Sequence, residues 1–172
     1  FGFAFDQFGR SKSVSVGDAS ASTTLLTMNY EKDGVNDITE TVFATGEKNR
    51  VTTDIHGNSI VSTYTDKNNV ERIISNATYD SVGKVKQLVD NERGVCYNYT
   101  YDAKGNMTKI VETDTNGNIL ATNTFVFDAN ERLTSKTYGA VGHTYRPVYE
   151  KNANGYIYPD NEILGITLDG KF

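Results

Sequence analysis

The sequence predicts an all-β fold, an antiparallel meander of β-hairpins with little or no helix. Three observations support this prediction. An Asp-x-x-Gly motif returns at a nearly even interval, β-branched and aromatic residues are abundant while Pro occurs only at Pro147 and Pro159, and no stretch keeps the i, i+3, i+4 apolar spacing of a helix. The motif occurs five times in 172 residues, where chance would give roughly one. We therefore interpret the chain as an internal repeat.

The Asp-x-x-Gly motif predicts a hairpin turn. Asp at the first position can accept hydrogen bonds from backbone N–H groups just ahead, and Gly three residues later can take the positive φ that returns the chain to a strand through a bulge. The last predicted turn is a degenerate copy without Gly. The predicted turn residues are Asp6, Gly9, Asp54, Gly57, Asp80, Gly83, Asp102, Gly105, Asp114, Gly117 and Asp128.

Aromatic residues accompany these turns. In the predicted geometry the residue just before the Asp lies across the hairpin from the second residue after the Gly position. The predicted cross-strand pairs are Tyr79 with Val85, Tyr101 with Met107 and Phe127 with Leu133. Each such pair is worth about 0.2–1 kcal/mol relative to Ala–Ala. Aromatics at alternate positions of one strand should share a face of the sheet. The repeat aromatics are Phe5, Tyr30, Tyr79, Tyr99, Tyr101, Phe125 and Phe127.

The spacing of the turns predicts the organisation of the chain. With degenerate copies at Glu31, Asp128 and Asn152, the first positions fall at residues 6, 31, 54, 80, 102, 128 and 152, and a second series lies half an interval away, at Asp66, Asp90, Asp114 and 139–142. Turns alternating between two edges predict roughly a dozen strands of about eight residues. We expect residues 1–172 to form one curved β-strip of about seven double-strand repeats, part of a spiral or shell.

The two ends of the chain carry further expectations. The chain opens inside a strand that leads to Asp6, which suggests a fragment of a longer protein, and residues 139–172 are interpreted as degenerate C-terminal repeats. Within them, residues 156–172 are more apolar and break the interval. This stretch is either a plug folded over the ribbon or a last hairpin with Pro159 at a turn or edge.

Composition argues against several classes of function. The net charge is -5 and Lys and Arg form no cluster, so we expect no nucleic-acid partner. No run of about 18 apolar residues predicts a membrane span. The single cysteine, Cys96, permits no intrachain disulfide and is interpreted as a small strand residue.

We find no convincing catalytic or metal site in the sequence, and we expect a protein that is not an enzyme and binds no cofactor. His56 and His143 are isolated, and two histidines without carboxylate help do not make a metal site. Asp114, Asn116 and Asn118 resemble part of a calcium loop, but Phe125 stands where the loop would need a bidentate Glu. The turn interpretation is favoured because the same Asp recurs in the other turns.

The repeat resembles a known family. Tyr101-Asp102-Ala103-Lys104-Gly105 and its copies at intervals near two dozen residues resemble the YD repeats of bacterial Rhs and wall-associated proteins, of Tc toxin B/C components and of teneurins. This resemblance implies a continuous β-sheet strip that, in long members, encloses a toxin polypeptide. The Asp-Pro-x-Gly motif of the region that closes such shells is not present. We therefore expect an arc of a shell, and the resemblance does not extend to self-cleavage.

Two functions are predicted. The first is a non-catalytic structural segment of a secreted or surface-exposed bacterial YD-repeat protein, whose partners are the remaining repeats of the parent polypeptide and an enclosed toxin. The alternative is an adhesion module in which exposed tyrosines contact cell-surface glycans or a protein receptor, since aromatic rings dominate interface hot spots. Eleven Tyr and no Trp motivate that alternative.

Overall fold

The computed structural model describes residues 1–18, 20–139, 143–149 and 163–168, with side chains described up to residue 139. These residues form fourteen β-strands and no helix. Each strand with a described pairing runs antiparallel to its neighbour in sequence. The all-β meander predicted from the sequence is confirmed. The chain divides into two compact units, residues 1–93 and 94–172.

Unit 1 contains the first eight strands, which lie in the sheet in sequence order. Four short turns lie at one edge and three at the other, because every connection joins adjacent antiparallel strands. The strands are β1 (Gly2–Phe5), β2 (Ser11–Gly17), β3 (Ser22–Asp33), β4 (Asn36–Phe43), β5 (Lys48–Thr53), β6 (Ser59–Thr65), β7 (Glu71–Tyr79) and β8 (Val85–Asp90).

Unit 2 continues the same pattern with six strands. The strands are β9 (Val95–Tyr101), β10 (Met107–Asp114), β11 (Ile119–Phe127), β12 (Leu133–Tyr138), β13 (His143–Tyr149) and β14 (Ile163–Leu168). Of the C-terminal stretch 156–172, the structure describes only β14, which pairs with β13. The degenerate turn at Asn152 and the proposed plug residues outside β14 lie outside the described residues.

The register places the aromatic pairs as the turn geometry requires. Tyr79 pairs with Val85, Tyr101 with Met107 and Phe127 with Leu133, and each pair lies next to a register shift. The shift is a β-bulge, one extra residue on one strand. It allows the two strands to resume pairing after a turn that contains one residue in the left-handed conformation.

The turn between β3 and β4 differs from the predicted one. Glu31 does not begin a turn, because β3 continues to Asp33 and Glu31 pairs with Ile38. The chain reverses instead through a two-residue turn in which Gly34 has a φ of 60°, and Asp33 pairs with Asn36 without a bulge. Tyr30 therefore lies within the ladder, opposite Thr39, and not beside a turn.

The structure also contains a repeat turn without Asp. The Phe43 N–H donates to Glu47 O at 2.9 Å, the Gly46 N–H donates to Phe43 O at 2.9 Å, and Gly46 has a φ of 91°. This is the backbone pattern of the Asp turns, with Phe at the first position. The sequence did not predict this turn, because Phe43 offers no carboxylate or amide side chain at the first position.

The core is thin. Among the residues with described side chains, only Ile38, Val95 and Ala121 are buried. Ile38 lies on the face of unit 1 opposite Tyr30, since Tyr30 pairs with the next residue, Thr39. The sheet is therefore held by its ladder, its turns and cross-strand rows rather than by a packed interior.

Candidate functional site

The recurring structural site is a turn clamp, which we define as the Asp at the first turn position with the backbone N–H groups two and four residues ahead. In the Asp102 clamp, Oδ1 accepts from the Lys104 N–H at 3.0 Å and from the Asn106 N–H at 2.9 Å. The backbone closes the same turn, because the Gly105 N–H donates to Asp102 O and the Asp102 N–H donates to Asn106 O. One carboxylate oxygen thus holds both halves of the turn.

The same clamp occurs in both units. The N–H groups two and four residues ahead lie 2.8–3.0 Å from Oδ1 in every described copy, whatever side chains fill the middle of the turn. The clamp residues are Asp6, Asp54, Asp66, Asp80, Asp102, Asp114 and Asp128.

A fifth position completes most clamps, and sequence analysis missed it. The Asn106 Nδ2 donates to the second oxygen of Asp102 at 3.1 Å, and the Arg132 Nε donates to that of Asp128 at 2.8 Å. The residue after the fourth turn position was readable from the sequence, since it is Asn or Arg in five of the seven copies. Those residues are Arg10, Asn58, Asn106, Asn118 and Arg132.

The fourth position requires the left-handed backbone. Gly57, Gly83 and Gly117 have φ values of 82–86°, whereas Asn69 and Glu131 adopt φ values of 60° and 66° with a side chain. Asn tolerates this region, but Glu is strained there. The clamp at Asp128 therefore forms despite the residue at its fourth position.

In the clamps at Asp54, Asp102 and Asp128, hydrogen bonds hold the pKa of the carboxylate below its ordinary value. The Asn58 side chain lowers the pKa of Asp54, the Asn106 side chain lowers the pKa of Asp102, and backbone N–H groups add to both effects. The Arg132 guanidinium acts in the same way on the pKa of Asp128. Hydrogen bonds to the ionised form favour that form. These carboxylates are therefore structural acceptors, which suits turn formation rather than proton transfer.

The calcium-like residues form a turn clamp of the same kind. Asp114 Oδ1 accepts from the backbone of Asn116 and Asn118, and its Oδ2 accepts from the Asn118 Nδ2 at 2.8 Å. Asn118 therefore directs a donor at the carboxylate, where a calcium site would need an acceptor. In the part of the chain whose side chains are described, no group of three or more His, Cys, Asp or Glu is placed to hold a metal ion.

The repeat aromatics of unit 2 lie on one face. Tyr99 pairs with Ile110 and Ile110 with Asn123, so Tyr99 shares its face with Phe125, two residues further along β11. These rings are half-buried, and burial raises the pKa of Tyr99. On the opposite face, Val126 is exposed. The aromatic face of this unit is defined by Tyr97, Tyr99, Tyr101, Phe125 and Phe127.

Three tyrosines of unit 1 bond to a neighbouring element through their hydroxyl groups. The Tyr30 hydroxyl donates to Ser11 O at 2.7 Å, the Tyr79 hydroxyl to Ser59 O at 2.8 Å and the Tyr64 hydroxyl to Glu47 Oε1 at 2.6 Å. The Arg10 guanidinium lies 4.1 Å from the centre of the Tyr30 ring. These tyrosines are engaged in stabilising the sheet.

The remaining candidate residues are dispersed. Phe5 ends β1 and is exposed, His56 is exposed in the middle of a turn, and Cys96 is half-buried on β9. The His143 side chain lies outside the described residues. Within the described part of the chain, no helix is long and apolar enough to span a bilayer.

The repeated turns agree with what comparison with known proteins finds. Residues 79–119, which include the clamps at Asp80, Asp102 and Asp114, match the family model described as RHS Repeat. This segment of the chain is thus similar to an RHS repeat. The YD-repeat resemblance predicted from the sequence is thereby confirmed. A search of curated proteins gives no match.

Two solved structures share the fold of this chain. One, described as TcdB2-TccC3 without its hypervariable C-terminal region, superimposes with a TM-score of 0.61 at 13% identity, over 86% of this chain and 8% of that one. The second, TcdB2-TccC3, gives a TM-score of 0.54 at 11% identity, over 82% of this chain and 11% of that one. The chain spans about a tenth of the length of these structures, and at this identity the similarity concerns the fold alone.

Proposed function

We propose that this chain is a non-catalytic structural segment of a larger YD-repeat polypeptide. The observation that carries the proposal is the turn clamp, which recurs in seven copies with the same two backbone contacts while the middle residues of the turn vary. A binding or catalytic site normally differs from the surrounding structure, whereas a scaffold repeats one solution along the chain.

The parent protein, in this proposal, uses the strip to build a shell or stalk that encloses or presents a toxin or another effector, and it is secreted or held at a bacterial surface. Support comes from the RHS repeat at residues 79–119 and from the shared fold with much longer structures. The thin core also supports it, because a strip with only three buried side chains among those described gains stability from repeats on either side.

Determining the gene sequence on both sides of this segment tests the proposal. We expect further Asp-x-x-Gly turns, with Asn or Arg at the fifth position, to continue at the same interval on at least one side. Unrelated globular domains on both sides would contradict it. Limited proteolysis of the parent protein should then show this segment protected as one continuous repeat region.

The adhesion alternative is less well supported by the tyrosine contacts. The hydroxyl groups of Tyr30, Tyr64 and Tyr79 are already bonded within the sheet, so they contribute less to a glycan or receptor surface. Screening the chain on a glycan array distinguishes the two functions. Specific glycan binding that is lost when half-buried tyrosines are changed to Ala, in a variant that keeps its β-sheet spectrum, would favour adhesion.

A further inference from the structure

The Asp114 turn contains an Asn-Gly pair, the dipeptide in which an asparagine side chain is most readily attacked by the backbone. Asn116 and Gly117 fill the third and fourth positions of the turn, and both are exposed. Gly has no Cβ, so nothing obstructs the approach of its backbone nitrogen to the side-chain carbonyl carbon of the preceding residue. The pair therefore has the composition of a spontaneous deamidation site.

Deamidation at this pair needs only water as a reactant. The Gly117 backbone nitrogen gives up its proton and bonds to Cγ of Asn116, the C–N bond of the side-chain amide breaks, and ammonia leaves with that proton. The cyclic imide then adds one water at either carbonyl and opens to aspartate or to isoaspartate at position 116. The net change converts one amide and one water into one carboxylate and one ammonium ion.

The folded turn keeps the backbone nitrogen of Gly117 out of this reaction. The Gly117 N–H donates to Asp114 O at 3.1 Å, and the Asn116 N–H donates to Asp114 Oδ1 at 2.9 Å. These two bonds hold the proton on the Gly117 nitrogen and fix the peptide planes on both sides of Asn116. The nitrogen can turn towards Cγ of Asn116 only after the turn opens.

The side-chain amide of Asn116 is also held by the clamp. Hydrogen bonding from the Asn118 side chain lowers the pKa of Asp114 most, and the Asn116 side chain adds to this effect. The amide nitrogen that would leave as ammonia thus lies beside the Asp114 carboxylate. Burial gives no protection here, because Asn116 and Gly117 are both exposed. Any protection of the pair comes from hydrogen bonds to Asp114.

Two other clamps place an asparagine at the third position and provide an internal comparison. Asn68 and Asn130 donate their backbone N–H to the clamp carboxylate at 2.8 and 2.9 Å. The residues that follow them are Asn69 and Glu131, whose side chains hinder the approach of the backbone nitrogen. Since Gly follows Asn116, we expect Asn116 to react fastest of the three whenever the turns are open.

We propose that Asn116 is a latent deamidation site, which the Asp114 clamp keeps unreactive while the hairpin between β10 and β11 is closed. Reaction then takes place only in molecules whose turn has opened locally. The rate at Asn116 is the rate in an open chain multiplied by the fraction of molecules in which this turn is open. The site depends on the geometry of one turn and is independent of the structural role proposed above.

The reaction prevents the same turn from closing as before. Isoaspartate at position 116 adds one carbon to the main chain, which lengthens the path between the Asp114 carbonyl and the Gly117 N–H. The aspartate product instead places a second negative charge beside the Asp114 carboxylate, and like charges at this distance oppose each other. An opening that leads to deamidation therefore leaves a permanent chemical change in the hairpin.

Peptide mapping by mass spectrometry tests the proposal. The chain is incubated at neutral pH, folded in buffer or unfolded in guanidinium chloride, and the deamidated fraction at each asparagine is followed with time. In the unfolded chain, Asn116 should react faster than Asn68 and Asn130. In the folded chain the rate at Asn116 should be at least about tenfold lower than in the unfolded chain, the factor that corresponds to an opening cost of about 1.4 kcal/mol.

Asp114→Ala and Asp102→Ala are the matched variants. Each removes the carboxylate of a clamp beside one end of β10, but only Asp114 holds the Asn-Gly pair. Hydrogen bonds to a charged acceptor correspond to about 10–100-fold in an equilibrium constant, so Asp114→Ala should raise the folded-state rate at Asn116 at least about tenfold. Asp102→Ala should leave that rate within about twofold of wild type.

Circular dichroism verifies that each variant keeps its β-sheet, and where an Ala variant loses it, Asp114→Asn and Asp102→Asn replace the pair. Equal rates at Asn116 in the folded and unfolded wild type would overturn the proposal. Equal acceleration by the two matched variants would also overturn it, because global unfolding would then control the reaction. Faster reaction of Asn68 or Asn130 than of Asn116 in guanidinium chloride would remove the special role of the Asn-Gly pair.

Discussion

Glu131 occupies the fourth position of the Asp128 turn with a φ of 66°, and its replacement by Gly should stabilise unit 2. A non-Gly residue in the left-handed region costs about 1–2 kcal/mol. Gly offsets about 0.5–1 kcal/mol of this gain, because it loses more conformational entropy on folding than other residues do. The substitution also removes an ion pair of 3.7 Å between the half-exposed Lys104 and Glu131, worth about 0.2 kcal/mol.

The net expectation for Glu131→Gly is therefore a gain of about 0.5 kcal/mol, or a rise in Tm of roughly 1–2 °C. Lys104 keeps its second contact, since its Nζ also donates to Ala129 O at 2.7 Å. The loss of the ion pair alone is measured with Glu131→Ala, which keeps a side chain at this φ and should lower the free energy of unfolding by about 0.2 kcal/mol.

Gly117→Ala is the reverse experiment in the same unit. Gly117 occupies the fourth position of the Asp114 turn at a φ of 86°, and a Cβ there would meet no atom within 4 Å. The cost is thus confined to the backbone, and we expect a loss of about 0.5–1 kcal/mol. Urea unfolding followed by circular dichroism measures all three variants. If Glu131→Gly and Gly117→Ala shifted the midpoint in the same direction, backbone conformation would not control the fourth position.

Three further predictions concern the clamp and the aromatic contacts. Folding lowers the pKa of four clamp carboxylates, those of Asp54, Asp102, Asp114 and Asp128. Their contribution to stability should therefore be complete above the unfolded pKa of about 3.9, and it should be lost as the pH falls through the folded pKa values. Urea midpoints that stay constant from about pH 6 to pH 2 would contradict this. Asn106→Ala removes the 3.1 Å hydrogen bond to Asp102 and should lower Tm by about 2 °C. Arg132→Asn should keep a Tm close to that of the wild type, because Asn106 fills the same position in the Asp102 clamp. If both variants lowered Tm equally, the fifth position would not act through the carboxylate. Tyr79→Phe removes the 2.8 Å hydroxyl bond to Ser59 O and should cost about 0.5–1 kcal/mol, while Tyr79→Ala also removes the pair with Val85 and should cost at least 1 kcal/mol more by chemical denaturation.

The turn chemistry could be predicted from the sequence because it is local. An Asp that accepts from N–H groups two and four residues ahead, and a Gly that supplies positive φ, both act within five residues. From these turns the register followed, including the pairing of Tyr101 with Met107 and Phe127 with Leu133. The fifth position was equally local, and its Asn or Arg was present in the sequence at Asn106 and Arg132.

Two turns could not be predicted correctly from the local sequence, and only the structure locates them. At Glu31 the sequence offered an aromatic, a carboxylate and a Gly at suitable positions, but pairing from Leu26–Phe43 to Asp33–Asn36 is continuous, and a tight turn at Gly34 preserves all of it. At Phe43 the turn forms without a carboxylate. There, Phe43 pairs with Leu26, and Glu47 O accepts the backbone bond that closes the turn.

By itself, the sequence determined the class of fold, the position of most turns and the pairs beside them, since each depends on residues close together in the chain. The tertiary structure alone decided which side chains are covered and which remain exposed. Phe125 is half-buried on the aromatic face of unit 2, whereas the next residue, Val126, is exposed on the opposite face. The physical reason is that burial in a sheet comes from neighbouring strands, which the two-residue period of a single strand does not specify.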